Sequence, residues 1–178
     1  MRLHEPIYSA ALISALDELE VLHEAASTQA HQNYYLKLAL LELCGWVEQT
    51  QDIVLSRLAG YWLEKERSGF DGELRRNSGF TYEKNFRTLL LRIIGLRGVE
   101  QLESRLAEHL DANVARVCAE TVSLLNDTLK LPRNTHAHTF AGVQNLPLQN
   151  VLHFTVLRRA AVTIDLGLQM IEREICGC

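Results

Sequence analysis

The segment from about Gln32 to Arg67 constrains the fold more than any other. Leu36, Leu40, Leu43, Cys44, Val47, Val54, Leu58 and Tyr61 recur three and four residues apart, so they share one face of a helix. From Leu36 to Val47 the apolar character runs nearly all round, which suits a helix at the centre of a bundle. Other segments repeat the pattern. A first helix is expected from near Ile7 to near Ala26, with Leu12, Ala15, Leu16, Leu19 and Leu22 inward. Tyr82, Phe86, Leu89, Leu90, Ile93 and Ile94 line a further helix, broken at Gly95–Gly98, and a shorter one carries Val99, Leu102 and Leu106. Asp111 is placed to cap the next helix, on which Val114, Cys118, Val122, Leu125 and Leu129 align. Pro132 is expected to end that helix at or before Leu131. Asn145 and Pro147 read as the cap and first turn of a last helix that reaches about Ile175. That helix is apolar over most of its circumference (Val151, Leu152, Val156, Ala160, Ala161, Leu166, Met170 and Ile171).

A chain of 178 residues with only three prolines has too few turn residues for a β-sandwich and enough length for one real core. The expectation is therefore all-α: a single domain over 1–178, an up-and-down helical bundle of about five or six helices. The opening "MRLHEPIYSA" has no signal-peptide core, and no apolar run approaches about 20 residues without charge. A cytoplasmic chain with no membrane partner is expected.

The net charge of -4 argues against a general nucleic-acid coat, whose affinity comes from Lys and Arg on phosphates. A local basic stretch exists nonetheless. Arg75, Arg76, Lys84, Arg87, Arg92 and Arg97 stand among only Asp71, Glu73 and Glu83. Within it, "SGFDGELRRNSGF" reads as the longest irregular connection. Arg75, Arg76, Lys84 and Arg87 are candidate RNA contacts. Phe70 and Phe80 either stack on bases or tuck into the core.

Several chemistries have weak support. Glu20 and His23 form the one evident Glu-x-x-His, whereas a di-metal carboxylate bundle needs two such pairs and two more acids. No Gly-x-Ser-x-Gly elbow is present. Cys44 and Cys118 fall in apolar helical patterns, where a reduced buried thiol is expected, and Cys176 with Cys178 supplies too few ligands for a metal. No cofactor and no metal is expected.

The chain concentrates reactive side chains in one place, "PRNTHAH", residues 132–138. Arg133 is a permanent cation whose planar fork suits a phosphate. Histidine titrates near neutrality, so His138 can take a proton at physiological pH. Asn134 can orient either group or cap the helix end. An Arg and a His on one phosphodiester make a minimal ribonuclease: the imidazole takes the 2′-hydroxyl proton and the guanidinium steadies the phosphorane-like charge. DNA lacks that hydroxyl, so the substrate would be RNA. The bare spacing is weak, since composition alone yields about half an Arg-x-x-x-x-His per chain of this kind. A helix-ending loop, with His138 packed and Arg133 solvated, is the competing reading. His136 either adds a second donor to the phosphate or points away from His138, since residues two apart do not share a helix face. Glu48, just past the dense apolar part of the second helix, lies either at a helix edge or buried and paired.

The motif resembles the signature of the HEPN superfamily (higher eukaryotes and prokaryotes nucleotide-binding domain), Arg-x(4–6)-His with Asn after the Arg and Ala before the His. Arg133, Asn134, Ala137 and His138 match it. The early helix with "LLELCGWVEQ" is similar to a family core helix that often carries an acid where Glu48 stands. The resemblance spans about residues 32–175. It implies a homodimer with motifs facing across the interface, and a metal-independent endoribonuclease with Arg133 and His138 catalytic and Asn134 supporting. It also implies service as a toxin or antiviral defence component, with an antitoxin or defence-system partner. Some such partners modify a Tyr two residues after the motif His; this chain has Phe140 there. The alternative is a non-catalytic helical dimerisation or interaction domain.

Overall fold

The computed structural model describes residues 8–61, 64–137 and 153–176, with the side chains of 61, 64, 65, 136 and 137 outside that description. Its helices are α1 (Ala10–Ala25), α2 (Gln29–Leu58), α3 (Glu64–Leu74), α4 (Arg87–Ala107), α5 (Ala112–Ser123), α6 (Lys130–Ala137) and α7 (Phe154–Cys176). No strand occurs among the described residues. The fold is an all-α helical bundle. One turn residue, Leu129, separates the π-helical Leu124–Thr128 from α6, so α5 and α6 form one bent rod and the described helices make six rods.

The core follows from the apolar periodicities. Leu36, Ala39, Leu40, Leu43, Cys44, Val47, Val54, Leu55 and Leu58 of α2 are buried, together with Ala160, Ala161, Ile164, Leu168 and Ile171 of α7. Helix α7 packs on α1, α2, α4 and α5, and α2 packs on α1, α6 and α7. These two helices are the bundle's centre. A three-residue connection turns α1 into α2, and Thr28 caps α2 by accepting from the His31 amide at 3.3 Å. At the other end of α1, the buried carboxylate of Asp165 on α7 accepts from the Tyr8 and Ser9 amides at 3.1 and 2.9 Å and from the Gln169 side chain at 2.8 Å. Three donors satisfy a charge that burial would otherwise make costly.

Gly167 on α7 lies against Thr121 on α5. A Cβ there would stand 2.1 Å from the threonine oxygen, which donates to the Val117 carbonyl. In α4 the helical backbone breaks at Gly95 (φ 72°, ψ 168°), as the "GLRG" stretch predicts. Asp111 caps α5 through the Asn113 amide at 2.9 Å.

The structure departs from expectation in four places. The expected helix Gln32–Arg67 is two, α2, which passes into a 3-10 turn at Ala59–Tyr61, and α3, which begins at Glu64. Much of the expected irregular connection is therefore α3, held down by Phe70 and Leu74, buried one turn apart. Pro132 does not stop its helix. It sits in the first turn of α6, where amides have no intrahelical partner to lose. Leu22 and Val156, assigned to inward faces, are 47% and 44% exposed. Ile7, Asn145, Pro147, Val151 and Leu152 lie outside the described residues.

Candidate functional site

Arg133 stands on α6, and two features of the chain put it against α2. The first is the π-helical turn Leu124–Thr128, closed by the Leu129 amide donating to the Leu124 carbonyl at 3.1 Å. A π turn carries one residue more than an α turn, which re-aims the helix beyond it. The second is the burial of Leu125 and Leu129, which fixes the rod's rotation. The Arg133 amide then donates to the Leu129 carbonyl at 3.0 Å, seating the residue in a regular turn.

Across from it, Cys44, Glu48 and Asp52 succeed one another at four-residue spacing along one side of α2. Arg133 Nη2 lies 3.5 Å from Glu48 Oε1, with side chains 35% and 33% exposed. Its other terminal nitrogen donates to Asn134 Oδ1 at 3.2 Å. Glu48 is thus half-buried and paired. Burial pushes the Cys44 thiol up to about 12, with Arg133 drawing it down and Glu48 adding to the rise. Burial, and then the charge of Glu48, pushes the Asp52 carboxyl up to about 6. Asp52 is the residue that reading the sequence missed. Its four-residue offset from Glu48 was the available signal.

The structure brings Arg133, Asn134 and Glu48 together. His138 lies outside the described residues, as do Phe140 and Cys178. His136 lies on α6 by its backbone alone. The exposed Leu131 precedes the motif on the same short helix.

Of the candidate RNA contacts, Arg75, Arg76 and Lys84 are exposed, and Arg76 donates to the Gly72 carbonyl at 2.9 Å. Arg87 is differently placed. Its Nε and Nη2 meet the two oxygens of Glu103 at 2.7 and 3.0 Å, and Glu83 lies 3.9 Å away. Arg92 pairs with Glu73 at 2.9 Å. Phe70 and Phe80 are buried in the core, not offered for stacking. The stretch meets the motif's rod where the Glu83 amide donates to Asn126 Oδ1 at 3.2 Å.

Glu20 and His23 serve other ends. Glu20 is hydrogen-bonded by Arg158, and the His23 ring lies edge-on to Phe154 at 5.5 Å. Among the described residues no three His, Cys, Asp or Glu side chains gather as metal ligands do. No described helix is long and apolar enough to cross a membrane. Comparison with protein-family models, curated proteins and solved structures gave no match.

Proposed function

We propose that this chain is a metal-independent endoribonuclease of HEPN type, with Arg133 and His138 catalytic and Asn134 supporting. The observation that carries the reading is the setting of Arg133. Its guanidinium is half exposed, held from behind by Glu48 and at the side by Asn134. A cation held this way costs little reorganisation when charge develops on a bound phosphate. His138 lies five residues further along the chain. In the reaction the imidazole takes the 2′-hydroxyl proton. The 2′-oxygen then bonds to phosphorus, the bond to the 5′-oxygen breaks, and that oxygen leaves with a proton from solvent. The product end is a 2′,3′-cyclic phosphate.

The reading includes a homodimer, RNA as substrate, and an antitoxin or defence-system partner that restrains the toxin. Purified wild type should cleave total RNA, and His138→Ala should not. Equal colony counts for cells expressing the two proteins, together with intact RNA under wild type, would sink the proposal.

One observation favours a second reading, a non-catalytic interaction domain. Arg87 and Arg92 of the basic stretch are committed to acids rather than held in reserve for phosphates. A dimer without cleavage would be its signature.

A further inference from the structure

Away from the motif, a cleft of about 690 Å³ opens beside α4 and α5 and the π-helical turn Tyr82–Phe86. Its size is that of a small-molecule site. The floor is apolar, with Leu106, Cys118 and Ile171 buried and Val122 half-buried. The rim is ionic. Glu103 accepts from Arg87 through both oxygens and from the Tyr82 hydroxyl at 2.9 Å. The Arg87 hydrogen bond, opposed by burial and helped by Tyr82, holds the Glu103 carboxyl below the usual range. Glu83, at the mouth, is 61% exposed and reaches Arg87 only at 3.9 Å.

Two carboxylates and one guanidinium leave the rim one charge negative. The sign of the ligand is set by the charge it would face. An anion at Arg87 would meet a guanidinium that Glu103 already neutralises through Nε and Nη2, and would stand beside two acids. A cation displaces nothing, because Glu83 makes only its long contact with Arg87. A hydrocarbon body would remove the floor from water at the same time.

We propose that this cleft binds a small amphipathic amine, its apolar body over Leu106, Cys118, Val122 and Ile171 and its protonated nitrogen on Glu83. The site is independent of the nuclease reading and stands or falls separately from it. The π turn supplies two of the lining residues, the buried Tyr82 and its exposed neighbour Glu83.

Titration calorimetry of the whole chain tests this with three probes of similar body and different charge: phenethylamine, phenethyl alcohol and hydrocinnamate. At low salt the amine should bind roughly two- to fivefold more tightly than the alcohol, the gain of one partly exposed ion pair. The carboxylate should bind weakest. Ala119→Leu fills the mouth from an exposed helical position and should abolish amine binding while the chain stays folded. Glu83→Gln should lower the amine to the affinity of the alcohol. No measurable binding of the amine at millimolar concentration overturns the site. Amine binding that survives Ala119→Leu overturns its location. A carboxylate that binds as well as the amine, or an amine indifferent to Glu83→Gln, overturns the recognition of charge.

Discussion

Arg133 and Lys carry the same charge at neutral pH, so exchanging them separates charge from shape. Lysine has no planar fork and cannot hold Glu48, Asn134 and a phosphate in one geometry. If the nuclease proposal holds, Arg133→Lys should lose about a hundredfold in kcat, measured by gel-resolved cleavage of a labelled RNA. Near-full activity would reduce the arginine to a point charge. Asp52 offers a test that needs no substrate. Its carboxyl titrates near 6 in the fold and near 3.8 when the chain unfolds, so the folded state binds more protons between those values. Asp52 therefore favours folding only while protonated. Its effect turns against the fold as pH rises from about 4 through 6. Asp52→Asn should raise stability at pH 8 by about 1 kcal/mol, a figure discounted for partial exposure, and change little at pH 4. Thermal melts of both proteins at the two pH values check the sign; an equal shift at both would remove Glu48 repulsion and burial as the cause. The sequence made Arg133 and Asn134 legible because a reactive cluster stands out in an apolar chain. It could not make Asp52 legible, because an acid on a helix is ordinarily solvated and nothing in the sequence marks this one as half-buried beside Glu48.

Helices were legible wherever apolar residues recur at three and four, and least legible where glycine interrupts them. The α3 segment contains Ser68, Gly69 and Gly72, which read as a loop. Each helical glycine costs about 1 kcal/mol, and the burial of Phe70 and Leu74 outweighs that cost. Pro132 misled for a related reason: proline breaks a helix interior, but a π turn had already restarted this helix two residues earlier. A glycine whose role no pattern announces is Gly167, where α5 and α7 touch. Gly167→Ala would drive a methyl into Thr121, whose oxygen donates to the Val117 carbonyl at 2.8 Å. The substitution should destabilise by about 1–3 kcal/mol in urea unfolding. Adding Thr121→Ala should recover part of the loss by removing the nearest atom, and the double variant falling below the single would refute a steric origin.

At the scale of the molecule, the bundle closes through Asp165. It is the point where the start of α1 is fastened to the central helix α7. Asp165→Ala would leave the Tyr8 and Ser9 amides without an acceptor and should cost about 2–4 kcal/mol. Asp165→Asn keeps an acceptor and should cost less, as denaturant midpoints will show; equal losses would mean that the charge, not the acceptor, is what matters. The nuclease proposal also makes a claim about assembly: light scattering at micromolar concentration should give a dimer, and a clean monomer would remove its composite site. The π turn at Leu124–Thr128 bears on how such a chain can change over time. Successive residues on a helix are rotated by about 100°. Deleting one residue from that turn would let it relax to an α turn of the same total rotation, so the helix beyond would stay nearly in phase and Arg133 would still face Glu48. Deleting one residue between Leu129 and Arg133 has no such slack to draw on: it would rotate Arg133 by about 100° and swing it off Glu48. The π turn is thus a reserve of one residue in the rod, where a length change is absorbed that elsewhere would turn the whole motif.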